Sequence, residues 1–146
     1  MSKQNETLVR QFIDRYLNTG DGSVLGEFLT PDCRLYCNAK CEGSDLAGYD
    51  AVVSKFRAAF PDLDHRLDEV LSTDDRLAYR WTNRGTHRGE FEGIPPTGKR
   101  IEFTGTTIFH FRDGKIAEEQ TSVDLLALME QLGVIPVPED AAATSS

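Results

Sequence analysis

The sequence predicts a single α+β domain, and three observations carry the prediction. Apolar residues recur at helical spacing as far as Phe60, and they fall on every second residue along the segments between Leu63 and Val123. Asp113-Gly114 joins the last two of these alternating runs as a hairpin turn. Helices first and a meander of long strands after them is the α+β order. A chain of 146 residues is long enough to close one core of this kind.

Taken in order, Leu8, Val9, Phe12, Ile13, Tyr16 and Leu17 form one apolar stripe, ended by Gly20 and Gly22. Ser23 is placed to cap a short second helix carrying Val24, Leu25, Phe28 and Leu29, which Pro31 closes. Cys33 to Asn38 reads as a brief strand and Ala39 to Gly48 as a polar loop. A third helix is expected from about Tyr49 to Ala59, with Val52, Phe56 and Phe60 on one side. After Pro61 the period changes. Leu63, Leu67 and Leu71 mark one face of a strand that ends at Thr73-Asp74-Asp75. The run from Arg76 to Arg88 puts Leu77, Tyr79, Trp81, Asn83 and His87 on one side. Beyond a Gly- and Pro-rich loop, Ile101, Phe103, Thr107, Phe109 and Phe111 alternate along a second long strand, and Lys115 to Val123 returns beside it. Asp124 opens a last helix bearing Leu125, Leu126, Met129 and Leu132. The domain is expected over residues 1–136, with 137–146 a loose tail rich in Pro, Ala and Ser.

The formal charge of −8, with Lys and Arg scattered, argues against a nucleic-acid partner. No run approaches the roughly 18 apolar residues of a membrane span. The N-terminus lacks the apolar core of a signal peptide, so a cytoplasmic location is expected. The three cysteines, Cys33, Cys37 and Cys41, are odd in number and have no second pair or histidine nearby. Free thiols are expected from them, with neither a disulfide framework nor a metal site.

The long strands mix polar side chains with apolar ones on one face: Trp81 with Asn83 and His87, Phe103 with Thr107. Apolar walls with a few convergent polar groups suit a small-molecule pocket better than a packing face. Phe12, Tyr36, Asn38, Trp81, Asn83, Phe103, Thr107 and Phe109 are therefore candidate ligand contacts. Core packing or a backbone hydrogen bond is the competing reading for Tyr36, Asn38 and Trp81. Glu119, His87 and Asp62 are the candidate acid/base groups. Glu119 alternates with Ala117, Thr121 and Val123, and is a buried carboxylate or a solvated one depending on which way that face turns. His87 fits a pocket rim or a loop-fixing role, and Asp62 fits a pocket or a turn. His65 and His110 read as outward-facing or already hydrogen-bonded.

Phe60-Pro61-Asp62-Leu63, Arg80-Trp81-Thr82, Gly85 to Phe91, Gly93 to Lys99 and Asp113-Gly114-Lys115-Ile116 together resemble the SnoaL-like polyketide cyclases. These are also called ester cyclases, and they belong to the nuclear-transport-factor-two-like superfamily. The likeness runs from Leu8 to Gly133. It implies a cone-shaped, strongly curved antiparallel sheet wrapped around the N-terminal helix, a deep pocket, and a homodimer. It also implies ring closure by aldol condensation without metal or cofactor, using a carboxylate on the inner face of the penultimate strand. By its spacing to Asp113-Gly114-Lys115, Thr107 stands at that carboxylate's position, and a threonine is no general base near neutral pH. The Glu-His-Trp common after the family's hairpin reads Glu118-Glu119-Gln120 here. Two functions fit. One is a cofactor-free cyclase, isomerase, lyase or hydrolase acting on a small, largely apolar carbonyl compound. The other is a ligand-binding or scaffold protein without catalysis.

The opposite strand face carries Arg80, Thr82, Arg84, Glu102, Thr104, Thr106 and His110, flanked by Ala78 and Ile108. Two such faces are expected to pack in a two-fold dimer. Light scattering at micromolar concentration should then give twice the chain mass of 16.3 kDa, and a monomer mass would refute the pairing.

Overall fold

A computed structural model describes residues 2–136, and the tail expected over 137–146 lies outside the described residues. Helix α1, Ser2–Phe12, runs on through a π-helical turn, Ile13–Leu17. A 3-10 turn, Gly22–Val24, leads into the short α2, Leu25–Phe28. Then come β1 (Leu29–Cys37), β2 (Lys40–Gly43) and α3 (Leu46–Ala59). The strands β3 (Asp64–Ser72), β4 (Arg76–Thr86), β5 (Arg100–Arg112) and β6 (Lys115–Val123) follow, before α4 (Leu125–Gln131).

All six strands belong to one curved, unclosed sheet in the order β2-β1-β6-β5-β4-β3. From β3 to β6 it is the antiparallel meander that the alternation predicts. β1 adds to this meander parallel to β6, so the sheet is mixed. No hairpin joins those two strands, and turn geometry therefore leaves their direction free. Phe12 of α1 sits at the heart of the core, its ring centroid within 6.1 Å of those of Tyr16, Phe28, Tyr49 and Phe109. Trp81, Phe103 and Phe109 join the same buried cluster. The register expected for β4 and β5 holds.

Several boundaries differ from the sequence expectation, each for a local reason. The second helical segment is capped by Asp21, whose carboxylate accepts the Ser23 N–H, and Ser23 lies inside the turn. Asp45 caps α3 by accepting the Gly48 N–H, which starts that helix at Leu46. The polar loop expected over 39–48 contains β2. Asn38 and Ala39, at φ of 50° and 70°, make the two-residue turn that folds β2 back on β1. Such turns are recognised by Asn-Gly or Asp-Gly, and Asn-Ala hides this one. On β3 the register shifts between Leu67 and Glu69, so Leu71 leaves the inner face and is 73% exposed. Asp124 does cap α4, accepting the Ala127 N–H.

Gly105 shapes the inner face most directly. It pairs with Trp81 across β4 and β5, and the indole lies over it. A Cβ there would stand 2.2 Å from a ring carbon of Trp81 and 2.6 Å from the Ser122 carbonyl oxygen. No side chain larger than hydrogen leaves the indole in place. Gly105→Ala should therefore cost about 1–3 kcal/mol through overpacking. Urea unfolding followed by the fluorescence of Trp81, the one tryptophan, measures it. A loss of only a few tenths of a kcal/mol would show that the indole is free to move.

Candidate active site

Between α3 and the inner face of the sheet lies a cavity of about 100 Å³. Val52, Val53, Phe56, Leu63 and Phe103 supply apolar wall, and Tyr49, His65, Tyr79, Asn83, Thr107, Glu119 and Thr121 supply the polar groups. A wider recess of about 590 Å³, bordered by the β1–β2 turn, α3, Phe91 and α4, lies outside it. The two spaces share Cys37, Val52, Phe56 and Val123.

Inside the cavity the polar groups are bonded to one another. Glu119, on β6, accepts at Oε1 from the Tyr49 hydroxyl and at Oε2 from the Thr121 hydroxyl, 2.5 Å away. Thr121 Oγ1 is 2.9 Å from Thr107 Oγ1, which accepts the Trp81 indole N–H at 3.0 Å. On the other side of the cavity, His65 Nδ1 lies 2.7 Å from Asn83 Oδ1, and Nε2 lies 2.9 Å from the Tyr79 hydroxyl. The amide oxygen can only accept, so Nδ1 carries the proton and Nε2 accepts from Tyr79.

Burial sets the protonation behaviour of these groups. It pushes the Glu119 carboxyl above its ordinary range, against the hydrogen bonds of Thr121 and Tyr49, which favour the ionised form. It pushes His65 down to about 4, against the Asn83 hydrogen bond. Burial also raises the Tyr49 and Tyr79 phenols well above their usual range, so both remain donors near neutral pH. The result is a desolvated carboxyl and a neutral imidazole sharing one cavity.

Comparison with known proteins identifies the scaffold. The family model for SnoaL-like polyketide cyclases matches residues 7–132. The chain belongs to the SnoaL-like polyketide cyclase family. Aklanonic acid methyl ester cyclase AcmA of Streptomyces galilaeus is 30% identical over 137 residues, covering 90% of this chain and 91% of that protein. A pathogen-related protein of Hordeum vulgare is 29% identical over 108 residues, 72% of this chain but 41% of the barley protein's length. Among solved structures, AclR of Streptomyces galilaeus superposes with a TM-score of 0.86 at 28% identity, covering 99% of this chain and 91% of AclR. TsrD of Streptomyces laurentii superposes with 0.81 at 29% identity, covering 91% and 97%.

Within this SnoaL-like cone, Trp81, Asn83, Phe103, Thr107 and Glu119 line the cavity. The other residues singled out from the sequence lie elsewhere. Phe12 and Phe109 are fully buried in the core and absent from the lining. Tyr36 is half-buried and stands between Leu35 and Cys37, the two β1 residues that do line the cavity, so it faces the other way. Asn38 is exposed in the β1–β2 turn, where its side chain accepts the Val123 N–H at the edge of the outer recess.

Of the three acid/base candidates, Glu119 alone reaches the cavity. Asp62 is exposed and accepts both the N–H and the hydroxyl of Thr86, bonds that hold its carboxyl below the usual range. His87 is fully buried, with Nδ1 accepting the Thr97 N–H at 3.2 Å, and this pins the loop between β4 and β5.

Sequence reasoning missed Tyr49 and Thr121 as partners of Glu119, and His65 and Tyr79 as partners of each other across the cavity. Two signals were present. His65 shares its parity with Leu63 and Leu67, which turns it inward, and Tyr49 opens the i, i+3, i+4, i+7 stripe of Val52, Val53 and Phe56.

His65 makes stability depend on pH. The unfolded chain binds its proton near pH 6.5, whereas the folded protein refuses it down to about 4. Its contribution is therefore complete above about 6.5 and is lost as pH falls toward 4, by up to about 3 kcal/mol. Glu119 has the opposite sign, because a raised folded value makes its contribution fall as pH rises out of the carboxylate range. Urea unfolding of the wild type and His65→Gln between pH 4 and 7 separates the two. The wild type should lose more stability on acidification than the variant, and parallel profiles would contradict the buried neutral imidazole.

Proposed function

We propose that this protein is a cofactor-free acid/base enzyme of cyclase or isomerase type. Its substrate class is a small, largely apolar carbonyl compound, and Glu119 is its proton-handling group. The observation that carries the reading is a buried carboxyl in the cavity wall with a raised pKa, beside two phenols that stay protonated. In the ionised state Glu119 takes a proton from a carbon α to the carbonyl. The electron pair of the broken C–H bond moves to the carbonyl oxygen as an enolate, which the Tyr49 hydroxyl stabilises as donor, turning to it from the neutralised Glu119. The enolate carbon then attacks a second carbonyl, whose oxygen takes the proton back from Glu119; in a conjugated enolate a more distant carbon takes that proton instead and the double bond shifts.

Thr107 lies 2.9 Å from Thr121 and is one hydroxyl removed from Glu119, so a carboxyl on the neighbouring strand serves the same space in this reading. A cavity of about 100 Å³ suits one ring or a short chain, well below the roughly 300–1,000 Å³ common for ligand pockets. Aklanonic acid methyl ester, the substrate named for the Streptomyces cyclases, is accordingly expected to turn over at no more than a trace, and a small β-keto ester is the better probe.

The test is exchange of the α-proton of such an ester in deuterated buffer, followed by NMR. Wild-type protein should accelerate exchange, and Glu119→Gln should lower the rate about 10²- to 10⁴-fold, the usual worth of general acid/base assistance. Exchange unaffected by Glu119→Gln would place the base elsewhere. Binding of the ester without accelerated exchange would favour a ligand-binding protein.

A further inference from the structure

The position that carries a carboxylate in the resembled cyclases is occupied here by Thr107, and its hydrogen bonds assign it a different task. Each hydroxyl in the cavity has one proton to give, and the indole of Trp81 can only donate. With Glu119 ionised, Thr121 donates to Oε2, Thr107 donates to Thr121, and Trp81 donates to Thr107. Every polar atom of that chain then has a partner. When Glu119 carries a proton on Oε2, the same contacts reverse. Glu119 donates to Thr121, Thr121 donates to Thr107, and the Thr107 proton needs a new acceptor. The Tyr79 oxygen is placed to supply it, since Tyr79 stands directly opposite Thr107 in the β4–β5 register and both residues line the cavity. Tyr79 in turn gives its own proton to His65 Nε2, whose tautomer Asn83 holds.

We propose that Thr107 is a positioning residue, the pivot of a reversible hydroxyl relay that lets Glu119 hold either protonation state with no buried polar group left unpaired. The proposal rests on the reading of Glu119 as the proton-handling group. The relay turns between two acceptors, Thr121 and Tyr79, and a carboxylate at residue 107 would supply no proton to turn. The titratable groups facing Glu119 are Tyr16 of the π-helical turn, Cys33 and Cys37 of β1, Tyr49 of α3 and Tyr79 of β4, with His65 of β3 at the relay's far end. The phenols and thiols have raised values and His65 a lowered one, so all are uncharged near neutral pH.

The experiment follows the Glu119 carboxyl by NMR against pH in protein carrying ¹³C-labelled glutamate, with Glu119→Gln identifying the signal. No substrate is needed, so a failure here is distinguishable from a failure to find catalysis. Thr107→Val leaves the Thr121 proton without an acceptor when Glu119 is protonated, so the midpoint should fall by about one pH unit. Thr121→Val removes a donor to the ionised form, and its midpoint should rise by a similar amount. Thr107→Ser keeps the pivot and should stay within a few tenths of the wild type. The opposite signs at neighbouring threonines are the signature, since general loosening of the cavity would move both variants the same way. If Thr107→Val does not fold, the pair Thr107→Ser and Thr121→Val still decides. A midpoint unmoved or lowered in Thr121→Val, or shifted by a unit or more in Thr107→Ser, would overturn the relay. So would a midpoint unmoved or raised in a folded Thr107→Val.

Discussion

A carboxyl buried in an apolar cavity is the constraint on which the rest of the inner face depends. Taking Glu119 out of water is costly unless its oxygens find donors. Tyr49 supplies one from α3, and Thr121 supplies the other from β6 itself. The Tyr49 bond ties a helix to the sheet at the depth of the cavity, so the position of α3 and the chemistry of the site are one problem. The phenol can reach so far because Asp45 starts α3 early, placing Tyr49 one turn inside the helix.

The same economy runs through the neighbouring strands. Trp81 packs its ring over Gly105, and this brings its N–H to Thr107. Asn83, two residues further along β4, holds His65 in the tautomer whose free nitrogen accepts from Tyr79. Buried polar groups are tolerated when each is paired, and the pairing here forms two chains, one from Trp81 of β4 through β5 to Glu119 of β6 and one between β3 and β4. A glycine on β5 and an asparagine on β4 thereby shape a cavity in which neither acts as an acid or a base. Membership of the SnoaL-like family accounts for the cone.

Much of the fold was legible in the chain itself. β6 and the caps and faces of the later elements follow from alternation, from Asp113-Gly114 and from Asp124, because local turn chemistry and side-chain period fix them. Glu119 was legible as a candidate for the same reason, its parity with Ala117, Thr121 and Val123. The misread segments are those whose signal is not periodic. A two-residue turn at Asn38-Ala39 lacks the usual glycine, and a register shift on β3 sends Leu71 outward. For His87 and Asp62 the chain left a pocket role open beside a loop-fixing or turn role, because local sequence does not say which way such a residue turns. Their hydrogen bonds to Thr97 and Thr86 fasten the loop and the strand end.

The sequence by itself determined the order of the elements other than β2, the parity of β4, β5 and β6, and the family, because these depend on neighbours two to four residues apart. Only the tertiary structure decided which polar side chains meet. Tyr49 and Glu119 are 70 positions apart, and Trp81 and Thr107 are 26. Both meetings arise from sheet curvature and helix packing, which no local period encodes. Whether a carboxyl is an ordinary surface acid or a buried one with a raised pKa follows from its surroundings, and those are assembled only when the curved sheet packs against α1 and α3.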